Sequence, residues 1–181
     1  LGLSTSSYSA LSKAFEFQDQ GDSQSAKDIL KKRIENVSSD FEKAMLYLNL
    51  AYVLVGMDNS QEAITAFSRT LVYGEKTLPY ERLQSTRYMA AAMMFSSEDF
   101  HKAKDTIEQW AQNSNQVDSN AMILMASIYA EEQIKEPAKS VCVLKQLAEE
   151  NEHLGKTAME LLYTQLYALN DLEGAAFILS Q

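Results

Sequence analysis

The apolar residues of this chain recur with the 3.6-residue period of amphipathic α-helices, in segments separated by short polar breaks. The clearest unit runs from Tyr47 to Leu71 and contains two such segments, with a polar break at residues 57–60. The apolar face of its first segment is formed by Tyr47, Leu50, Ala51 and Leu54. The face of its second segment is formed by Ala63, Ile64, Phe67 and Leu71. This pattern predicts two helices joined by a short turn.

The same unit recurs along the chain and predicts five helix pairs. The predicted pairs are 8–20 with 23–36, 40–56 with 60–75, 79–96 with 99–112, 118–132 with 135–150, and 155–170 with 172–180. An alanine stands in the first turns of the second helix of each pair, at Ala26, Ala63, Ala103, Ala138 and Ala176, spaced by 37, 40, 35 and 38 residues. Four positions later stand Leu30, Phe67, Ile107, Cys142 and Ser180. We expect the small residue to let two helices approach closely.

Helix pairs of this kind cannot bury their apolar faces alone, so they stack on one another. We predict an all-α fold: a right-handed superhelical solenoid of about five antiparallel helix pairs with a concave and a convex face. The whole chain, residues 1–181, forms one repeat domain in this prediction. Its repeats are about 8–36, 40–75, 79–112, 118–150 and 155–181, and the short last helix predicts an array that continues further.

The second repeat carries the most specific likeness to a known family. Tyr47, Leu50, Ala51, Leu54, Ala63 and Phe67 stand where the tetratricopeptide repeat (TPR) places its signature residues. The chain therefore resembles TPR proteins from about Tyr8 to Ser180, although its other repeats are degenerate. The resemblance implies a protein-binding scaffold.

A narrower resemblance rests on three segments. These are residues 107–110, 121–129 and 166–176, the last reading Leu-Tyr-Ala-Leu-Asn-Asp-Leu-Glu-Gly-Ala-Ala. They resemble TPR proteins encoded beside TonB-ExbB-ExbD systems in Gram-negative bacteria. This resemblance implies a periplasmic accessory of a TonB-type energy-transduction complex, with a cytoplasmic location as the alternative.

Composition narrows the classes of partner. The chain has only 2 prolines and 6 glycines, which disfavours a turn-rich sheet protein. Its net charge of −9 argues against nucleic acid, because phosphate binding requires clustered lysine and arginine. No apolar run is long enough to span a bilayer, so we expect no direct membrane insertion.

Residues that could carry chemistry are few. His101 and His153 lie far apart in sequence, and we interpret both as surface residues. The single cysteine, Cys142, is interpreted as a small buried hydrophobe, with a reactive thiol as the alternative. Acidic runs such as 149–152 read as solvated helix faces, because adjacent carboxylates on a helix diverge. We therefore predict no enzyme activity, no metal site and no cofactor.

The first helix of each pair is expected to line the concave face. The predicted partner-binding groove consists of Tyr8, Phe15, Leu48, Asn49, Tyr52, Tyr88, Met89, Phe95, Ile123 and Leu124. An exposed apolar stripe of this kind would bind a protein or peptide partner. In the alternative interpretation, several of these side chains pack between the helices of one pair.

Asn49 and Tyr52 lie one turn apart and are expected to hold a peptide backbone. Chaperone-binding TPR domains hold a terminal carboxylate with asparagines and basic residues. Here Leu11, Ser85 and Met89 occupy the basic positions, which argues against that role. Two other functions remain open: a module that forms homo-oligomers through exposed terminal helices, and an enzyme or small-ligand carrier that uses the groove.

Overall fold

The computed structural model describes residues 2–114, 118–150 and 154–180, and this part of the chain contains ten helices and no strand. In chain order they are α1 (Thr5–Asp19), α2 (Ser23–Glu35), α3 (Asp40–Gly56), α4 (Ser60–Gly74), α5 (Tyr80–Ser96), α6 (Phe100–Asn113), α7 (Ser119–Ala130), α8 (Pro137–Glu150), α9 (Lys156–Ala168) and α10 (Leu172–Leu179). The predicted all-α fold class is confirmed.

The contacts within the chain divide it into two compact units, one ending at Ser97 and the other beginning at Glu98. Unit 1 contains α1 to α5 and unit 2 contains α6 to α10, and each is described by itself. The prediction of a single repeat domain stays a prediction. In the described residues, no helix is both long and apolar enough to cross a membrane.

The helix ends lie within three residues of those predicted, and the largest difference is at α1. This helix begins at Thr5 because the side chain of Ser4 accepts a hydrogen bond from the Ser7 amide. Such an N-cap satisfies one of the free amides of the first turn. It is a local polar signal that apolar periodicity does not report.

One residue in the turn of each predicted pair has a positive φ. These residues are Gly21, Asp58, Glu98, Lys135 and Asn170, with φ between 53° and 78°. Gly21 adopts this left-handed conformation without steric cost, whereas the other four carry a Cβ. The next residue begins the second helix as an N-cap in several repeats: the side chains of Asp22, Asn59 and Asp171 each accept a hydrogen bond from the amide three residues on. The turn therefore ends one helix and starts the next within three residues.

The left-handed residue sets the register of the second helix. Five residues after it stands a small, buried side chain: Ala26, Ala63, Ala103, Ser140 and Ala175. Four residues later come Leu30, Phe67, Ile107 and Leu144, all fully buried, and then Leu179, which is exposed. This register differs from the predicted one in the last two repeats, where Ala138, Ala176, Cys142 and Ser180 are exposed.

The register error in the fourth repeat has a physical cause. The connection between α7 and α8 spans residues 131–136, whereas residues 57–59 suffice between α3 and α4. The amide of Glu136 accordingly donates to the carbonyl of Tyr129, seven residues back, while that of Asn59 donates to Leu54, five back. The predicted turn at 132–134 placed the left-handed residue too early. In the fifth repeat the adjacent Ala175 and Ala176 differ by one position, and Ala175 is the buried one.

Unit 1 is built around α3, which packs on α1, α2 and α4. Its two buried sides explain why Leu46, Leu50, Val53 and Leu54 are all inaccessible. On its remaining side, Tyr47 stacks on Tyr73 of α4, with ring centroids 5.8 Å apart. Lys27 and Lys31 of α2 both reach Glu62 of α4, at 2.8 and 2.7 Å. The central helix therefore holds the site described below on a rigid support.

Unit 2 has its own core, formed by α7, α8, α9 and α10. The buried hydroxyl of Ser140 donates to the carbonyl of Ala126 at 2.8 Å and joins α8 to α7. The phenol of Tyr129 donates to Glu108 at 2.9 Å. Burial, with the carboxylate of Glu108, raises the pKa of Tyr129, so the phenol stays protonated.

Candidate functional site

A groove of about 490 Å³ opens in unit 1 between α3 and α5. We call it the α3–α5 groove. Its lining consists of Leu48, Asn49, Tyr52, Pro79, Glu81, Arg82, Ser85 and Thr86. The volume lies within the range of about 300–1,000 Å³ that is typical of ligand pockets.

The floor of the groove is fixed by the core of unit 1. Leu48 and Thr86 are buried. The hydroxyl of Thr86 donates to the carbonyl of Arg82 at 2.7 Å, so the helix satisfies this buried polar group. The floor is therefore apolar and needs no ligand to satisfy it.

Tyr52 forms an aromatic wall. Its ring stands edge-on against the buried ring of Phe67, with centroids 5.7 Å apart and an interplanar angle of 87°. Tyr52 nevertheless remains 44% exposed. A ring held on one side by the core and open on the other is an ordered contact surface for a ligand.

The polar groups of the groove are arranged to form hydrogen bonds. The amide nitrogen of Asn49 donates to the carbonyl of Met45 at 2.8 Å, which orients the side chain. Among the described residues, the Oδ1 of Asn49 has no hydrogen-bond partner. On α5, exposed Glu81, Arg82 and Ser85 add one carboxylate, one guanidinium and one hydroxyl. The lining thus offers both donors and acceptors beside apolar surface, which suits a peptide backbone.

The structure brings only part of the predicted groove together. Leu48, Asn49 and Tyr52 line the α3–α5 groove. Tyr8 and Phe15 are exposed on α1, seven residues apart and so on one face of that helix. Tyr88, Met89 and Phe95 are half-buried on α5 outside the lining. In unit 2, Ile123 packs against the core and Leu124 is half-buried. Which residues contact a partner stays a prediction.

Three polar residues of the groove, Glu81, Arg82 and Thr86, were missed from sequence. Glu81 and Arg82 precede Ser85 by four and three residues, so helical spacing places all three on one face of α5. That helical spacing was a usable sequence signal for the α5 side of the groove. Arg82 is also held in place, with a guanidinium nitrogen 3.2 Å from the sulfur of Met45.

Cys142 and His101 do not line the α3–α5 groove. Cys142 is exposed, which corrects its interpretation as a buried hydrophobe. The longer α7–α8 turn shifts α8 by two residues, so Leu144 takes the buried position instead. His101 is exposed, as predicted, and His153 lies outside the described residues. Within residues 2–114, 118–150 and 154–180, no cluster of three or more histidine, cysteine or carboxylate side chains could hold a metal ion.

No family model matches the chain, and no curated protein sequence matches it. Several solved structures are similar to the chain. A tetratricopeptide repeat protein from Parabacteroides merdae ATCC 43184 is similar with a TM-score of 0.76 and 17% identity, over 97% of this chain and 64% of that one. MamA from Desulfovibrio magneticus RS-1 is similar with a TM-score of 0.75 and 13% identity, over 99% of this chain and 94% of that one.

A third similar structure is a kinesin light chain with TPR-like repeats from Podosopora anserina. It matches with a TM-score of 0.68 and 17% identity, over 99% of this chain and 95% of that one. At these identities the likeness concerns the fold. The chain has the fold of TPR proteins, in agreement with the resemblance of its second repeat.

Proposed function

We propose that this protein is a non-catalytic interaction module that binds an extended segment of a partner protein in the α3–α5 groove. The observation that carries the proposal is the free Oδ1 of Asn49 beside the exposed ring of Tyr52. In this mode, Asn49 accepts a hydrogen bond from a backbone amide of the bound segment. Tyr52 and Leu48 receive an apolar side chain of that segment.

The charges at the groove bear on which charged residues a partner segment would carry. Arg82 and Glu81 are adjacent in sequence and exposed on α5. They favour a segment that carries both an acidic and a basic residue near its apolar anchor. The anchor supplies most of the affinity, because buried aromatic contacts dominate small interfaces.

Selection of binders from a random peptide library tests the proposal. Peptides selected on the wild-type chain should lose at least tenfold in affinity for Ser85→Arg, whose long side chain fills the groove without touching the core. Tyr52→Ala should weaken the same peptides. Val72→Ala is the matched control, because Val72 is an exposed apolar residue of α4 that does not line the groove.

The measurement is peptide affinity by fluorescence anisotropy, with thermal unfolding to show that each variant is folded. Equal affinity for the wild-type chain and Ser85→Arg would contradict the proposal. So would peptides that respond to Val72→Ala as strongly as to Tyr52→Ala.

The periplasmic setting and the link to a TonB-type complex rest on sequence resemblance alone, and we keep them as the proposed context of the module. Two measurements test them: fractionation of the host cell, and co-purification of the protein with ExbB, ExbD and TonB. Recovery with cytoplasmic markers would contradict the setting.

A further inference from the structure

A cavity of about 350 Å³ lies in unit 2, where the connection between α7 and α8 meets the end of α9. We call it the α7–α9 cavity. Its lining consists of Ala130, Glu132, Lys135, Pro137, Gln165 and Ala168. The volume is in the range of about 300–1,000 Å³ that is typical of ligand pockets, so the cavity can receive one side chain of a partner.

Gln165 of α9 gives this cavity a buried polar group that is free to bind. The residue is only 7% exposed. Among the described residues, its carboxamide has no hydrogen-bond partner, and neither Oε1 nor Nε2 is completely enclosed by protein. The small exposed part of the carboxamide therefore faces the cavity that the residue lines. Because buried polar side chains nearly always have a partner, a ligand that pairs with Gln165 would complete the site.

The ends of two helices add hydrogen-bond acceptors. Helix α7 ends at Ala130 and α9 at Ala168, and both residues line the cavity. Among the described residues, neither of their carbonyls accepts a hydrogen bond. Carbonyls at the end of a helix point away from it and carry its partial negative charge. Together with Oε1 of Gln165 and the carboxylate of Glu132, they make acceptors more numerous than donors at this cavity.

The charge of unit 2 also favours a cation. Residues 98–181 contain 14 acidic side chains, 6 lysines and no arginine, so with neutral histidines they carry a net charge of −8 of the chain's −9. At the cavity, Glu132 and Lys135 are both exposed, and neither forms an ion pair with a described residue. The surroundings of the cavity therefore attract positively charged ligands.

We propose that the α7–α9 cavity binds the guanidinium group of an arginine side chain from a partner protein. A guanidinium carries five N–H donors and no acceptor, which matches the excess of acceptors around Gln165. It is also less strongly hydrated than the ammonium of lysine, so entering a half-enclosed cavity costs it less free energy. The ammonium of Lys135 opposes this binding, and its removal should therefore strengthen it.

NMR titration of the ¹⁵N-labelled chain with capped tripeptides tests the ligand. The probe is acetyl-Gly-Arg-Gly-amide, and the control peptides carry citrulline, lysine or glutamate in place of arginine. Citrulline has nearly the shape of arginine but no charge. We expect saturable shifts of the side-chain amide of Gln165 with the arginine peptide in the millimolar range, and binding of the citrulline peptide that is about tenfold weaker.

Three results of this titration would overturn the proposal. The first is the lack of a saturable shift at Gln165 with the arginine peptide in the millimolar range. The second is equal or tighter binding of the citrulline or lysine peptide. The third is equal or tighter binding of the glutamate peptide, which would make the cavity an anion site.

Variants of the cavity separate a defined site from general attraction to an acidic surface. Gln165→Met keeps the length of the side chain but removes both polar atoms, and it should weaken the arginine peptide by about tenfold. Gln146→Met, at an exposed position of α8 outside the cavity, is its control. Glu132→Gln should also weaken binding. Glu131→Gln removes the same charge one residue away, outside the cavity lining, and should change the affinity by less than about twofold.

The affinities are measured from shifts of the backbone amides that line the cavity, with thermal unfolding to show that each variant is folded. Equal effects of Glu132→Gln and Glu131→Gln would overturn the proposal, and this test holds even if Gln165→Met does not fold. Unchanged affinity in folded Gln165→Met would overturn it as well.

Lys135→Gln provides a test with the opposite sign. Removing this ammonium should tighten binding of the arginine peptide by about threefold. Lys145→Gln is the matched control, because Lys145 is an exposed lysine of unit 2 that does not line the cavity. Weaker binding by Lys135→Gln would show that Lys135 itself holds the ligand, and so would overturn the proposal.

The arginine site and the α3–α5 groove can fail independently, because they lie in different units of the chain. Peptides whose affinity falls with Tyr52→Ala should bind Gln165→Met as tightly as the wild-type chain.

Discussion

Helices α4 and α10 occupy the same place in their repeats yet differ in their surroundings. Phe67 of α4 and Leu179 of α10 both follow the small buried residue by four positions. Phe67 is 0% exposed and Leu179 is 70% exposed. The difference lies in the neighbour, because α5 packs on α4, whereas no described helix covers Leu179 of α10. In a repeat fold, the position of a residue within its repeat determines whether it can be buried. Whether it is buried then depends on the helix that packs next to it.

The largest expected effect is the difference in stability between alanine variants at Phe67 and at Leu179. Phe67→Ala should destabilise the chain by about 3–5 kcal/mol, because it removes a buried ring and leaves a cavity. Leu179→Ala should change the free energy of unfolding by less than about 0.5 kcal/mol in dilute protein, since little is buried there. Urea unfolding measures both. A Leu179→Ala loss comparable with that of Phe67→Ala would contradict the exposed position of Leu179.

The next effect concerns the turns that set the register. Gly21 has φ of 78°, and an alanine there would place a Cβ in the left-handed region. We expect Gly21→Ala to destabilise by about 1–2 kcal/mol. The control is Gly56→Ala, within α3, where an added Cβ meets nothing within 4 Å.

That control should stabilise by about 0.4–1 kcal/mol, because alanine restricts the unfolded chain. Thermal unfolding compares the two variants. Equal effects of the same sign would contradict the role given to the left-handed residue.

A smaller effect tests the corrected register of the fourth repeat. Ser140 is buried and donates to Ala126 across two helices. Ser140→Ala should cost about 0.5–1.5 kcal/mol through the lost hydrogen bond, partly offset by the better helix propensity of alanine.

Ser127→Ala is the comparison. Ser127 is half-buried and its hydroxyl donates within its own helix to Ile123, so we expect no loss of stability. If both variants behave alike in urea unfolding, Ser140 does not hold α7 and α8 together.

Sequence pattern was sufficient for the helices and insufficient for the register of the last repeats. Apolar periodicity located all ten helices, because each buries one side. It wrongly assigned Ala138 and Cys142 to the buried positions of the fourth repeat. The connection between α7 and α8 has six residues, and the predicted second helix began two residues too early. The true register of this repeat was also harder to predict, because Ser140 occupies the buried position at which the other repeats have an alanine.

The α3–α5 groove was predictable only on its α3 side. Leu48, Asn49 and Tyr52 follow from position within a helix, whereas the opposite wall depends on how α5 is placed. The linker before Pro79 sets that placement. Gly74, the last residue of α4, permits the close approach of this linker, because a Cβ there would come within 2.6 Å of Leu78.

The smallest expected effect concerns pH and the outer helices of unit 1. Hydrogen bonds from Lys27, Lys31 and Asn59 lower the pKa of Glu62 from 4.5 to about 2. Because the folded-state pKa lies below the unfolded one, this stabilisation is complete above about pH 4.5 and is lost as pH falls toward 2.

In the Glu62→Gln variant, the free energy of unfolding should therefore fall less than in the wild type as pH is lowered from about 4.5 toward 2. The control is Glu160→Gln, whose ion pair with Lys156 is a longer 3.7 Å and fully on the surface of α9. An unchanged pH profile for Glu62→Gln would contradict the assignment of this carboxylate.

The most direct test of the central claim is an NMR titration of the ¹⁵N-labelled chain with a peptide selected on it. The account predicts that the largest shifts occur at the side-chain amide of Asn49 and at the backbone amides of Tyr52, Arg82 and Ser85. Peptide-induced shifts centred on α2, α4 or α10, with the groove unmoved, would contradict it.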